Sequence, residues 1–354
     1  MKKIIGIILI VLSIASIMFV YNDDFLYNKK IIKVEKIETV QEEVLQNDLG
    51  LKEKYYTKEI TGIVTNGKTK GKKEKVTIEE TYSSVVTDKY RVNDKLIISG
   101  SDIELKRDIY VVIMFVLFMD LIYFIGSFKG LLSILSVAVN SIIFYIGLLL
   151  YFKGVNLLFL CIIETVLFAI LSLILASGVN KKTLSAILSV ITSTVIITIL
   201  LLITVKLTNY KGINFNEISF LTVPLEDVIL PELLIGSVGA IMDVAITISS
   251  SIAELIEKDK KITTKRLNKS AKEIGKDIMS TMSNVLFFTY LCAGLPIFVL
   301  ALRNGFTMYN YITTNFSLEL SRFLVGSIGI VLTIPISAFI SIKLMKRGAR
   351  WIPY

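Results

Sequence analysis

Eight stretches of this chain stay apolar for about 20 residues each, the length at which a helix crosses a hydrocarbon core of roughly 30 Å. They are residues 4–20 and, with soft ends, 109–127, 131–151, 155–177, 184–206, 231–255, 281–302 and 320–343. No water reaches such a core, so each backbone N–H and C=O must bond within its own segment, and each stretch is predicted to be a helix. Of the 354 residues, 53% are hydrophobic and 19% charged, below the roughly 25% charge usual for a soluble domain. The expected fold is an α-helical integral membrane bundle of about eight transmembrane helices.

Charge sets the orientation. Residues 22–108 hold 17 basic and 17 acidic side chains, so the net charge of +9 belongs to the apolar remainder. With the N-terminus inside, the inner segments carry Lys2, Lys3, Lys129, Lys181, Lys182, eight basic residues from Lys258 to Lys276, and Lys343, Lys346, Arg347 and Arg350. The outer segments beyond residue 108 carry Lys153, Lys206, Lys211, Arg303 and Arg322. Lys and Arg concentrate on the cytoplasmic side of short loops. Both termini and a basic loop, 256–280, are therefore expected in the cytoplasm of a cell (plasma) membrane protein, with 22–106 outside. Topology accounts for the basic surplus without a nucleic-acid partner. The first run lacks a small-x-small cleavage site, so 1–21 is read as an uncleaved anchor and 107–354 as a seven-helix domain.

Residues 22–106 are polar and β-leaning. Segments 61–67 and 75–82 read as strands around a turn rich in Gly and Lys, and 90–99 reads as a turn and a further strand. A small extracytoplasmic β-rich domain, barrel or sandwich, is expected. The basic 68–75 turn reads as a solvated loop, with anionic lipid or cell-wall polymer as the alternative contact.

Polar groups in hydrocarbon are expensive and face a bundle interior, a partner or water. Asp120, Asn140, Glu164 and Asp243 fall near the middle of their runs. Asp243, Thr247, Ser250, Ser251 and Glu254 recur at spacings that share one helical face. That stripe could line an aqueous half-channel or offer oxygen ligands to a cation, and small polar side chains that merely pack helices are the plainer reading. Asp277, Ser280, Thr281 and Asn284 form a second polar face, of which Asp277 and Asn284 are expected to help close the path. Asp120 and Glu164 are read as partners of opposite role, one kept protonated by desolvation. Ser185, Ser189 and Ser193 read as close packing.

Leu-Leu-Ile-Gly-Ser-Val-Gly-Ala at 233–240 is echoed by Phe-Leu-Val-Gly-Ser-Ile-Gly-Ile at 323–330. Gly236, Gly239, Gly326 and Gly329 are expected at close helix approaches or helix breaks, as are Pro296 and Pro335. The chain contains no histidine, which removes histidine metal sites and His-based triads, and Cys161 and Cys292 sit in apolar runs as buried hydrophobes. No nucleophile elbow or phosphate loop occurs. An intramembrane aspartyl pair would need Asp243 to meet Asp120 or Glu164. No catalytic activity, metal or cofactor is expected.

The stretches at 236–245, 275–284 and 326–335, with the Gly-x-x-x-Gly-Lys turn from Gly67 to Lys72, resemble the YibE/F-like family of bacterial multi-pass membrane proteins. Departures are mild: Lys276 stands where the family tends to have Arg, and Ser280 where it tends to have Gly. The resemblance implies the same architecture, an anchor, an outer β-rich domain and a helical region, with a permease-like character and no assigned reaction. The expected function is a secondary transporter or permease for an unknown small solute or ion, seated in the lipid bilayer, with Asp243 as the central binding group. Thr247, Ser250, Ser251 and Glu254 would line its inner path. Association into a homo-oligomer is compatible with this reading. The alternative is a non-transporting scaffold whose outer domain binds a partner or envelope component.

Overall fold

The computed structural model describes residues 2–46, 52–83, 88–100, 102–208, 225–314 and 316–346. Expectations for Lys211, Arg347 and Arg350 lie outside them. The chain falls into two compact units, residues 1–131 and 132–354.

The first unit begins with helix α1 (Lys2–Tyr21) and a 3-10 turn (Asp23–Leu26). Strands β1 (Lys30–Gln46), β2 (Lys52–Val64), β3 (Lys73–Thr81), β4 (Lys95–Ser99) and β5 (Asp102–Leu105) follow. They make one antiparallel sheet in the order β3-β2-β1-β4-β5, so the described strands form neither a closed barrel nor two facing sheets. The anticipated hairpin is β2–β3, pairing Ile63 with Lys73. Its turn needs glycine at two positions, because Gly67 and Gly71 have φ of 70° and 86°. Ile32 and Val34 of β1, Ile60 and Val64 of β2, and Leu96 of β4 alternate onto one face and are fully buried. The second half of β1 is exposed throughout.

A polar knot fixes this sheet to the helix ends of its own unit. Asn66 accepts from the Ile31 amide at 2.8 Å and donates to the carbonyls of Asp24, Tyr27 and Lys29 at 3.0, 3.1 and 2.8 Å. Buried Lys106 pairs with Asp23, with Asp24 at 2.9 Å and with Asp108 at 3.5 Å, and also donates to the Val20 carbonyl at 3.2 Å. Lys95 holds the other Asp24 oxygen at 2.7 Å. Burial alone would raise the Asp24 carboxyl, but the hydrogen bonds from Lys95 and Lys106 outweigh it and hold it below its ordinary value. Burial would likewise lower Lys106, but Asp23 and Asp24 lift it above the ordinary lysine value. Burial and the adjoining Asp108 push the Tyr27 hydroxyl up to about 12.

These shifts fix the sign of a pH dependence. A carboxylate depressed on folding stabilises above its unfolded value, about 3.9, and loses that contribution as pH falls through the folded value. A lysine raised on folding stabilises below its unfolded value, about 10.4, and loses that contribution as pH rises through the folded value. The sheet is expected to hold one melting temperature between those limits and to lose it on the acid side first. The amide infrared band of the sheet, followed against temperature at several pH values, checks this.

Helix α2 (Asp108–Phe152) carries the chain between the units. Its 45 residues would extend about 68 Å if straight, more than twice a hydrocarbon core. It is not straight: Ser127 has φ 51° and ψ −134°. The space beside the Gly130 α-carbon is taken by the Ile122 carbonyl, eight residues back and about 12 Å away in a regular helix. The bend therefore starts on the last residue of the run predicted as 109–127 and leads to the run predicted as 131–151.

The second unit continues through α3 (Leu157–Ser177), α4 (Lys181–Thr208), α5 (Leu225–Lys258), α6 (Thr264–Arg303), α7 (Met308–Thr314) and α8 (Phe316–Lys346). Six described helices are long and apolar enough to cross a membrane: α2, α3, α4, α5, α6 and α8. The predicted 256–280 loop needs correction, since α6 begins at Thr264 and only five residues separate it from α5. At 40 residues α6 spans about 60 Å, so its basic first turns extend the bundle beyond the apolar slab. Leu267, Ala271 and Gly275 recur every four residues as its buried stripe.

Helices α5 and α8, which carry the 90-residue echo, pack side by side. Arg322 of α8 pairs with Glu232 of α5, and Ser249 lies 3.0 Å from Ser341, Oγ to Oγ. Those offsets of 90 and 92 residues mark a parallel, in-register pair. Ser185 of α4 meets the same Ser341 hydroxyl at 2.7 Å. Ser185, Ser189, Ser193, Ser249, Thr333, Ser337 and Ser341 are all fully buried, a seam of small polar residues that lets these backbones approach. A Cβ on Gly329 would lie 3.1 Å from both Ile197 and Ile241. None of Gly236, Gly239, Gly326, Gly329, Pro296 and Pro335 interrupts its helix, so the expected breaks are absent, and Gly236, Gly326 and Gly329 act through close approach, not backbone geometry.

Candidate functional site

Helix α5 has two faces. Val244, Ala245, Ile248, Ser249, Ile252 and Ile256 are buried against the bundle. The opposite face carries Gly236, Gly239, Asp243, Thr247 and Glu254, all exposed or half-exposed, with Ser250 and Ser251 half-exposed beside them. Asp243, Thr247 and Glu254 lie 7, 11 and 18 residues beyond Gly236, which puts all four on one line along the helix.

Helix α6 touches that line near its start. The Tyr290 hydroxyl donates to the Gly236 carbonyl at 3.2 Å, and a Cβ on Gly236 would fall 2.8 Å from the same hydroxyl. One turn earlier on α5, Glu232 pairs with Arg322, which also holds Glu319. One turn later, nothing lies within 4 Å of the space beside Gly239. Seven residues back from Tyr290 on antiparallel α6 is Ser283, at the level of Asp243, and the same column continues through Met279, Lys276 and Lys272. An exposed line thus runs along α5 from the Tyr290 contact toward Lys258. It ends in a cavity of about 470 Å³ lined by residues that include Ser251, Glu254, Lys258, Lys269 and Glu273. A second cleft of about 190 Å³ has Ser250, Glu254, Glu257 and Lys181 in its wall, so Glu254 borders both.

This exposed face offers acceptors. The Thr247 hydroxyl donates to the Asp243 carbonyl at 2.7 Å, and Ser251 donates to the Thr247 carbonyl at 2.8 Å. With their protons committed to the backbone, both oxygens turn lone pairs outward, next to the Asp243 and Glu254 carboxyls. Asp243 itself has no side-chain hydrogen bond or ion pair among the described residues. An unpaired carboxyl and a ladder of acceptor oxygens suit a cation or a hydrogen-bond donor and repel anions. Among the described residues, no group of three or more Cys, Asp or Glu side chains is arranged to hold a metal ion.

The other sequence candidates do not gather here. Asp277 and Asn284 lie on α6 a third of a turn or more from the Tyr290 column, so Ser283 occupies the position expected of them. Asp120 accepts from Ser13 of α1 at 3.0 Å within the first unit. Asn140 donates to Ser172 at 2.7 Å, and Ser136 donates to the same hydroxyl at 3.0 Å, pairing α2 with α3. Glu164 is buried on α3, its carboxyl filling the space beside Gly147 of α2. Asp243 faces away from Ile241 and Ala245, through which α5 meets the α3–α4 cluster, so Asp243 and Glu164 are on different sides of α5. Sequence spacing had no means of finding Tyr290 or Gly147, because the partner of each is on another helix.

Comparison with known families finds two matches. The model described as YibE/F-like protein covers residues 114–347, and that of the YibE/F family N-terminal domain covers 25–112. No curated protein and no solved structure matches.

Proposed function

The chain belongs to the YibE/F-like family, and on that premise we propose that it is a plasma-membrane permease, or secondary transporter, for a small cationic or hydrogen-bond-donating solute. The chain crosses the bilayer eight times, counting α1 and the two segments of α2 separately. The sheet lies outside and the Lys258 end of the exposed α5 face is at the cytoplasm, the side favoured by the basic residues of α6. The carrying observation is the open α5 face: a carboxyl at Asp243, unpaired and exposed at the depth of an apolar span, is tolerable only where water or a ligand reaches it. Solute enters past Glu254, follows Ser251 and Thr247, and stops at Asp243. The Tyr290–Gly236 contact and the Arg322 pairs close the far end.

Accessibility tests this path. In a Cys292→Ser background, Thr247→Cys and Ser251→Cys should react with a membrane-impermeant thiol reagent in inverted vesicles, and the buried control Ala245→Cys should not. Reaction at Glu254→Cys alone, with both deeper positions silent, would mean that lipid or protein covers this face.

A second reading rests on the outer sheet. Val40, Val44, Leu45 and Tyr82 are more than half exposed at its far end, an apolar tip suited to an envelope partner. In that case the outer sheet carries the function, and loss of Asp243 leaves the phenotype unchanged.

A further inference from the structure

We propose that Glu164 is a proton-binding site, separate from the exposed α5 face and independent of the transport reading. Its side chain is 5% exposed in the middle of α3, and no hydrogen bond or ion pair reaches it among the described residues. The carboxyl does not lie there by default. It is folded against α2 at the one place where that helix has no side chain: a Cβ on Gly147 would occupy the position of the Glu164 Oε1. Gly147 is the only buried residue described between 141 and 150, so the glycine and the acid fit as notch and plug.

The chemistry of the surroundings selects the ligand. A metal cation needs about six oxygen ligands in a dry site. Besides its own carboxyl, Glu164 has the neighbouring Thr165 hydroxyl, fully buried and without a partner. The unpartnered Asn140 oxygen is two turns away along the helix pair, about 12 Å distant, as the Asn140–Ser172 and Gly147–Glu164 registers require. That set is too small for a metal ion and sufficient for a proton. Cys161, one turn away on α3 and 3% exposed, is the titratable neighbour. Helices α4 and α5 meet α3 through Ala186, Ile187, Leu234 and Ile241, and α2 meets it through Gly147, Ser136 and Asn140, so none brings a charge to Glu164. An ionised carboxylate left unpaired there is strongly disfavoured, so the group binds a proton instead of holding a fixed charge.

A hydrophobic carbodiimide, dicyclohexylcarbodiimide, adds to protonated carboxyls within membranes and leaves a stable acylurea. The full chain in detergent is treated over a pH series, with and without sodium or lithium, and digested for mass spectrometry. Modification at Glu164 is expected, falling away as pH rises, unaffected by either cation and lost in Glu164→Gln. Wild type alone supplies the decisive reading should that variant misfold. Glu164 unmodified while other carboxyls react, or modified equally at every pH, would overturn the proposal. Protection by sodium or lithium would overturn it in favour of a metal-cation site.

Discussion

Replacing Lys106 with Met is expected to unfold the β-sheet of the first unit while the helices stay in the membrane. The ammonium is 3% exposed, and the change strands Asp23 and Asp24, both largely buried, without their shared cation. Breaking a buried ion pair by removing one partner costs about 3–5 kcal/mol, a large part of the 5–15 kcal/mol that holds a typical domain. Lys95 still reaches Asp24, which limits the loss without cancelling it. The effect is read by limited proteolysis of the full chain, with cuts appearing between residues 30 and 105. Adding Asp23→Asn to Lys106→Met should restore part of the resistance, because it removes the stranded charge instead of replacing the cation. No recovery in the double variant would mean that the damage comes chiefly from lost packing over Tyr27, on whose ring the ammonium sits at 5.0 Å.

Asp243→Asn should behave in the opposite way, folding normally and failing to work. The side chain is exposed and makes no hydrogen bond or ion pair among the described residues, so its charge contributes little to the fold; changes at such positions usually stay within about 0.5 kcal/mol. Asn keeps the shape and the acceptor oxygen and removes only the negative charge. If that charge binds a cation or a donor, the ligand loses its main attraction while the Thr247 and Ser251 oxygens remain. A variant that aggregates on purification would assign Asp243 to packing.

The contrast between these two carboxyl sites bears on what the sequence could reveal. Bilayer thickness fixes the length of an apolar run, and six described helices are long and apolar enough to cross; the bend of α2 begins at Ser127, the last residue of the first of two separately predicted runs. The β2–β3 hairpin was legible from Gly67 and Gly71, whose positive φ demands glycine. Strand β1 was not, because its outer half has no buried face and so no alternation to read. The start of α6 was taken for a loop, since its lysines dilute the hydropathy and only Leu267, Ala271 and Gly275 mark a buried side. Spacing could place Asp243, Thr247, Ser250, Ser251 and Glu254 on one face, because that is a property of one helix. It could not say that Asp277 and Asn284 look elsewhere, that Tyr290 meets Gly236, or that Glu164 meets Gly147, because those depend on which helices become neighbours.

The proposed function requires that the exposed face of α5 binds a ligand at Asp243. The melting temperature of purified wild type and Asp243→Asn, measured against a panel of inorganic cations, amines and small neutral metabolites, tests this. A ligand that binds only the folded state at 100 times its Kd stabilises by about 2.7 kcal/mol, a readily measured shift. At least one cation or amine is expected to raise the wild-type melting temperature and leave Asp243→Asn unmoved. A panel that shifts neither protein, or shifts both equally, would contradict ligand binding at Asp243.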